Sequence, residues 1–168
     1  MLPNRVWWIT GLPASGKTSL ARALCAALQG HGSMACVLDG DELRRGLCSD
    51  LGMSDTDRGE NIRRAGEVAR LMWAAGLNVV CAFVSPIAVD RERVRALFIA
   101  DRFVEVHLST SLQECARRDP KGLYARARSG QLTGLTGWDA RYEPPQSAHR
   151  VFDTQHHSVA EMVADLLG

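Results

Sequence analysis

The sequence predicts an α/β fold in which a parallel five-stranded sheet is flanked by helices. Strand-like apolar runs alternate along the chain with helical patterns, as they do where crossover helices join parallel strands. A glycine-rich segment separates the first such run from the first helical pattern. The length of 168 residues suits one α/β domain with a sizeable core, so we expect a single domain over residues 1–168.

Apolar periodicity and capping residues predict five strands and five helices. We place the strands at residues 5–9, 34–38, 77–84, 102–108 and 149–153, and the helices at 17–29, 57–75, 89–99, 111–118 and 157–167. Helix 57–75 carries a clear apolar stripe, and Ser54 precedes it as a plausible N-cap. Arg58 and Asn61 share another face of that helix, from which both could reach a ligand.

Composition excludes several classes of function. The net charge of +1 leaves no basic footprint, so we expect no nucleic-acid partner. We expect no membrane association, because no apolar run approaches the roughly 20 residues of a membrane span and the N-terminus lacks a signal-peptide pattern. The five cysteines are odd in number and widely spaced, which favours reduced thiols and a cytoplasmic protein.

Residues 11–18 read Gly-Leu-Pro-Ala-Ser-Gly-Lys-Thr, a full Walker A phosphate loop between a strand and a helix. Backbone N–H groups of such a loop cradle polyphosphate oxygens at the positive end of the helix dipole. Lys17 would reach the β- and γ-phosphates, and the Thr18 hydroxyl would ligate Mg²⁺. The motif therefore predicts a P-loop NTPase fold that binds a nucleoside triphosphate.

The second predicted strand ends in Leu-Asp-Gly-Asp, with Asp41 and Arg44 just beyond it. Carboxylates at the carboxyl end of a parallel strand face the ligand crevice. Asp41 could hold Mg²⁺ through water or accept a proton from an attacking hydroxyl, while Arg44 would bind an acceptor phosphate. The alternative interpretation is an Asp-Gly turn that caps a helix.

A basic segment, residues 119–145, interrupts the alternation of strands and helices. Between positions 117 and 141 the chain has six Lys or Arg residues against two Asp and no Glu. Such a segment is either a solvated insertion or a lid over anionic ligands, and the phosphate loop favours the lid. These parts describe a small-molecule kinase better than a GTPase, since no guanine-reading Asn-Lys-x-Asp is found.

The motifs together resemble those of the adenylyl-sulfate kinase family over nearly the whole chain. Besides the phosphate loop, the resemblance rests on Leu-Asp-Gly-Asp-Glu-Leu-Arg (38–44), Asp-Arg-Gly-Glu-Asn-Ile-Arg-Arg (57–64), Ala-Phe-Val-Ser-Pro (82–86), Asp-Pro-Lys-Gly-Leu-Tyr (119–124), Gly-Leu-Thr-Gly-Trp-Asp (134–139) and Tyr-Glu-Pro-Pro (142–145). It implies transfer of the γ-phosphate of MgATP to the 3′-hydroxyl of adenosine 5′-phosphosulfate (APS), within sulfate activation, by a homodimer.

The resemblance also implies roles for particular residues. ATP would be bound by Gly11, Leu12, Pro13, Ala14, Ser15, Gly16, Lys17, Thr18, Ser19 and Arg118. The acceptor would be bound by Asp41, Arg44, Met53, Arg58, Asn61, Val84, Ser85, Lys121, Leu123 and Leu135. Catalysis would fall to Asp41, Lys17 and Ser85, and the metal to Thr18 and Asp41. The family's serine at Ser85 is sometimes designated a phosphorylated intermediate, but in-line transfer needs none, so we interpret Ser85 as a hydroxyl that bonds backbone or ligand.

Three positions depart from the family pattern. Met53 and Leu135 stand where the family usually has the two phenylalanines that sandwich the acceptor adenine, and Pro13 removes one N–H from the phosphate loop. A related kinase with a different hydroxylated acceptor is therefore the first alternative function. The second is a nucleotide-binding subunit without chemistry, which is disfavoured by the presence of Asp41, Arg44, Arg58 and Asn61.

Overall fold

The computed structural model of the protein describes residues 4–168. Its centre is a sheet of five strands in the order β2-β3-β1-β4-β5, and every neighbouring pair is parallel. The strands are β1 (Val6–Gly11), β2 (Ala35–Asp39), β3 (Asn78–Ala82), β4 (Phe103–Leu108) and β5 (Arg150–Phe152). The predicted parallel five-stranded sheet is confirmed. Predicted strand 77–84 extends beyond the observed one, because the chain leaves the sheet after Ala82.

The α-helices of the described residues number seven, two more than predicted. They are α1 (Lys17–Gly30), α2 (Gly40–Arg45), α3 (Asp55–Ala74), α4 (Ala88–Arg95), α5 (Leu112–Arg118), α6 (Leu123–Arg128) and α7 (Val159–Leu167). Helices α2 and α6 have six residues each, too few to show a helical repeat of apolar positions. The predicted helix 89–99 is too long, since α4 ends at Arg95. None of these helices is long and apolar enough to cross a membrane.

Two apolar cores lie on opposite faces of the sheet. Helices α1 and α7 contribute Leu24 and Met162 to the core on one face. Helices α3 and α4 contribute Ile62 and Val94 to the core on the other. Every residue of β1 is buried, as expected for a parallel strand covered on both faces.

The sheet brings several loops together at one edge. Because all five strands run in the same direction, the chain leaves β1, β2 and β3 at the same carboxyl edge. The phosphate loop follows β1 there, and its start requires glycine. A Cβ on Gly11, whose φ is 159°, would lie 2.8 Å from both Leu108 O and Ser15 Oγ.

Candidate functional site

A cavity of about 630 Å³ opens at the carboxyl edge of the sheet. Its lining comes from the phosphate loop, the junction of β2 with α2, helix α3, the chain after β3 and the segment after α5. Nearly all of the predicted site residues lie in this lining. The exceptions are Gly11, Leu12 and Ser15, which are absent from it.

The phosphate loop turns sharply before α1 begins at Lys17. Ala14 and Gly16 have φ values of 66° and 100°, and the Ser15 N–H donates to Leu12 O at 3.2 Å. The Lys17 ammonium donates to Gly11 O at 3.0 Å and to Leu12 O at 2.7 Å. Burial lowers its pKa to about 8. An ammonium beside the start of a helix forms an attractive site for an anion.

Asp39, which the sequence argument did not select, accepts a hydrogen bond from the loop threonine. Thr18 Oγ1 donates to Asp39 Oδ2 at 2.7 Å, and Asp39 Oδ1 accepts from Asp41 N at 2.9 Å as the N-cap of α2. Asp39 is buried, whereas the Asp41 side chain is half-exposed and pairs with Lys121. Asp39 is the last residue of β2, two positions before Asp41. A carboxylate at the end of a parallel strand was the sequence signal that could have identified it.

The oxygen donors beside the loop fit Mg²⁺. Thr18, Asp39 and Asp41 all line the cavity and offer a hydroxyl and carboxylates, the ligands that Mg²⁺ prefers. Within residues 4–168 no group of three or more His, Cys, Asp or Glu side chains could hold a metal by itself. Mg²⁺ in phosphate-binding sites takes one or two protein oxygens and completes its shell with phosphate and water.

The predicted acceptor residues of α3 lie at the other end of the cavity. Arg58 and Asn61 are both buried and line it, as their shared helix face predicts. Among the described residues, Asn61 Nδ2 is one of three buried side-chain atoms with no hydrogen-bond partner. An amide with unused donors in a cavity wall is available to a polar ligand.

Arg58 connects two sides of the cavity at the end where the acceptor residues lie. Its Nε donates to Met53 O at 2.8 Å, Nη1 donates to Thr136 Oγ1 at 2.5 Å, and Nη2 donates to Gly134 O. Burial lowers the pKa of Arg58 below its usual value. Met53 is 59% exposed at the rim, and Leu135 is 7% exposed in the opposite wall. Arg44 lines the same end and donates to Gly52 O at 3.0 Å.

Ser85 has a strained backbone and a hydroxyl with two hydrogen-bond partners. Its φ of 39° lies in the left-handed region that non-glycine residues rarely adopt. The hydroxyl accepts from Trp8 Nε1 at 3.1 Å and donates to Phe83 O at 3.4 Å. The side chain is buried in this network, and Val84 and Ser85 both line the cavity.

The basic segment 119–145 packs against the phosphate loop. The buried Tyr124 donates from its hydroxyl to Pro13 O at 2.9 Å, and burial raises its pKa well above the usual value. Tyr124, Leu135 and Cys115 form a third apolar cluster with Leu12 and Ala14 at its margin. Lys121 and Leu123 line the cavity from this segment.

Arg118 is tied to the loop through Thr154, a residue that sequence reasoning missed. Its Nη1 donates to Thr154 Oγ1 at 2.7 Å, and Thr154 Oγ1 donates to Ser15 O at 3.0 Å. No short motif marks Thr154, which is 139 positions from Ser15 in the sequence.

The parallel sheet, the phosphate loop and the cavity beyond it define a P-loop kinase. A profile of the adenylylsulphate kinase family matches residues 4–153, and the chain belongs to that family. It is 55% identical to the adenylyl-sulfate kinase of Pseudomonas entomophila over 156 residues, which are 93% of this chain and 75% of that protein. It is 52% identical to the Shewanella halifaxensis enzyme over 160 residues, 95% of this chain and 78% of the relative.

A solved structure shows the same fold over almost the whole chain. The APS kinase of Mycobacterium tuberculosis, determined in complex with AMPPNP and APS, superimposes with a TM-score of 0.93 at 41% identity. The match covers 99% of this chain and 97% of that one. The family resemblance that the motifs predict is therefore confirmed.

Proposed function

We propose that this protein is an adenylyl-sulfate kinase, which transfers the γ-phosphate of ATP to the 3′-hydroxyl of adenosine 5′-phosphosulfate. The observation that carries the proposal is one continuous cavity, which joins Lys17 of the phosphate loop to Asn61 of α3. Two nucleotides can meet in such a cavity, with the donor at the loop and the acceptor at α3. Membership of the family and the likeness to a structure solved with AMPPNP and APS support the two ligands.

The donor half rests on the loop and its neighbours. The loop residues from Gly11 to Ser19 would surround the phosphates, and Lys17 would contact the β- and γ-oxygens. Thr18, Asp39 and Asp41 would hold Mg²⁺, which neutralises charge on the phosphates when bound. Arg118 would flank the adenine of ATP, and its bonds to Thr154 fix it near the loop.

The acceptor half rests on α3 and on the wall opposite. Arg44, Arg58 and Asn61 would bind the phosphosulfate and nucleoside, since they offer cationic and amide donors to an anionic ligand. The adenine would lie between Met53 and Leu135, with Val84 and Ser85 beside the ribose. Lys121 and Leu123 would close over it from segment 119–145, which we propose to act as a lid.

The transfer is a direct in-line displacement. The 3′-oxygen of the acceptor forms a bond to the γ-phosphorus while the bond from that phosphorus to the β,γ-bridging oxygen breaks, and ADP leaves. The Asp41 carboxylate takes the hydroxyl proton, and the Lys17 ammonium stabilises charge on the transferred group. The Ser85 hydroxyl is engaged by Trp8 and Phe83, which supports a structural role rather than a covalent one.

We propose that the protein acts in the cytoplasm, because its five cysteines are free thiols. We propose a homodimer from family membership, and a single kinase domain over residues 1–168.

The test is a coupled assay of ADP release with purified protein, MgATP and APS at micromolar concentration. We expect turnover that depends on APS. The ³¹P NMR spectrum of the product should show a phosphate at the 3′-position. Adenosine 5′-monophosphate serves as a matched acceptor that lacks only the sulfate. Turnover independent of acceptor, or equal with both nucleotides, contradicts the assignment.

A further inference from the structure

Arg91 of α4 is a buried arginine that lies outside the cavity lining. It is 3% exposed, and its guanidinium donates three hydrogen bonds to separate parts of the chain. Nε donates to Glu105 Oε1 at 3.1 Å, Nη1 to Ser85 O at 2.7 Å, and Nη2 to Glu143 O at 2.6 Å. One side chain therefore joins β4, the chain after β3 and the end of segment 119–145.

The bond to Ser85 supports a strained part of the cavity wall. Ser85 has a left-handed φ of 39°, and such a backbone persists only where its surroundings hold it. The Trp8 indole holds the Ser85 side chain, and Arg91 holds the Ser85 carbonyl. Because Ser85 lines the cavity on the acceptor side, the Arg91 bond sets the position of that wall.

The bond to Glu143 fixes the point where segment 119–145 returns to the sheet. Glu143 N donates to Pro86 O at 2.8 Å, and Ala88 N donates to Glu143 Oε2 at 2.7 Å. The chain after β3 and the end of segment 119–145 are thus joined by hydrogen bonds, and Arg91 donates to both. A shift of Glu143 would move Ser85 with it, since both carbonyls share one rigid guanidinium.

Glu105 orients the arginine. It is buried in β4, and its second oxygen accepts from Arg95 Nη2 at 2.6 Å. The Glu105 carboxylate lies between two arginines, so a lysine in place of either one keeps a cation beside it. Arg95 bonds neither Ser85 nor Glu143, so it offers a matched control that shares only the carboxylate.

We propose that Arg91 is a positioning residue. It holds the cavity wall at Ser85 and the end of segment 119–145 at Glu143 in a fixed relative position, and that position determines how the acceptor binds. The inference rests on the proposed function for the identity of the acceptor. The phosphate loop makes none of these contacts, so the effect of Arg91 falls on the acceptor half of the cavity.

The test is the Arg91→Lys variant, which keeps the charge beside Glu105 but cannot reach both carbonyls in the planar geometry of arginine. We expect the KM for APS to rise about fivefold to tenfold, as two hydrogen bonds weaken. The KM for MgATP should stay within about twofold. The Arg95→Lys variant should leave both constants within about twofold of the wild type.

Equal effects of Arg91→Lys and Arg95→Lys, or equal rises in both KM values, would overturn the inference. Arg91→Gln gives an independent arm, because its amide reaches one of the two carbonyls at most, while Arg95 still pairs with Glu105. A selective rise in the KM for APS in Arg91→Gln supports the inference even if Arg91→Lys does not fold, and an unchanged KM in Arg91→Gln refutes it.

Amide hydrogen exchange without substrate separates this inference from the proposed function. In Arg91→Lys, exchange at the Glu143 and Ala88 amides should accelerate about fivefold or more relative to Arg95→Lys. Unchanged exchange there overturns the role of Arg91, whatever the substrate. Failure of the wild type to turn over APS overturns the proposed function alone.

Discussion

The hydroxyl of Thr18 donates a 2.7 Å hydrogen bond to Asp39, so the phosphate loop and the end of β2 meet through a side-chain pair. The pair stands where the Walker A threonine is expected to ligate Mg²⁺. Asp39 is buried and also caps α2, which fixes its carboxylate relative to the loop. The metal requirement of the enzyme should therefore depend on Asp39 as well as on Thr18.

Asp39→Asn should reduce activity by about tenfold to a hundredfold at limiting Mg²⁺. The reason is that a neutral amide orients the Thr18 hydroxyl, the expected Mg²⁺ ligand, less well than a carboxylate does. The measurement is a Mg²⁺ titration of initial rates at fixed ATP. Glu42→Gln is the control, since Glu42 is an exposed carboxylate of α2 outside the cavity lining. Mg²⁺ dependence equal to that of the wild type would show that Asp39 only caps the helix.

Binding of ATP should take up a proton near pH 8.5. Burial holds the pKa of Lys17 at about 8 in the ligand-free protein, below its usual 10.5, so at that pH most molecules have a neutral Lys17. Polyphosphate favours the ammonium, raises the pKa and draws roughly half a proton or more from the buffer. Calorimetry in two buffers of different ionisation enthalpy measures this uptake.

The same lowered pKa sets the sign of a stability effect. The unfolded chain binds more protons at Lys17 than the folded protein does between about pH 8 and 10.5, so the contribution of Lys17 to ligand-free stability rises with pH there. Lys17→Arg is the control for both effects, because arginine stays charged throughout. Proton uptake that persists in Lys17→Arg must come from another group.

Asp41→Ala should lower kcat by about a hundredfold or more, since general-base assistance and metal organisation are both lost. Binding of a non-hydrolysable ATP analogue should change by less than about threefold, because the Lys17 contacts remain. Rapid-quench kinetics and analogue titration measure the two effects. Asp50→Ala removes an exposed carboxylate that pairs with Arg64 and should leave both unchanged. Substantial residual turnover in Asp41→Ala would contradict the role of Asp41.

Met53→Phe should lower the KM for APS by about fivefold, because an aromatic ring at the rim stacks on the acceptor adenine. Met53 is 59% exposed in the cavity lining, so a larger ring fits without disturbing the core. Met34→Phe is the matched control, at a 65% exposed position away from the cavity. An unchanged or raised KM in Met53→Phe alone would place the adenine elsewhere.

The motifs and the apolar periodicity predicted the parallel sheet, and most of the residues that they selected line the cavity. Strand β1 and the start of α1 follow from the Walker A motif, whose residues are contiguous. The pairing of Arg58 and Asn61 in the cavity follows from helical spacing alone. These features are local, so a pattern within a few residues specifies them.

Sequence by itself determined the fold class, the phosphate loop and the face of α3 that lines the cavity. Only the tertiary structure decided that Asp39 contacts Thr18, that Tyr124 holds Pro13, and that Arg91 joins Ser85 to Glu143. Tyr124 and Pro13 are 111 positions apart, and no local pattern couples them. Such contacts arise because parallel strands bring distant loops to one edge of the sheet, where packing selects which side chains meet.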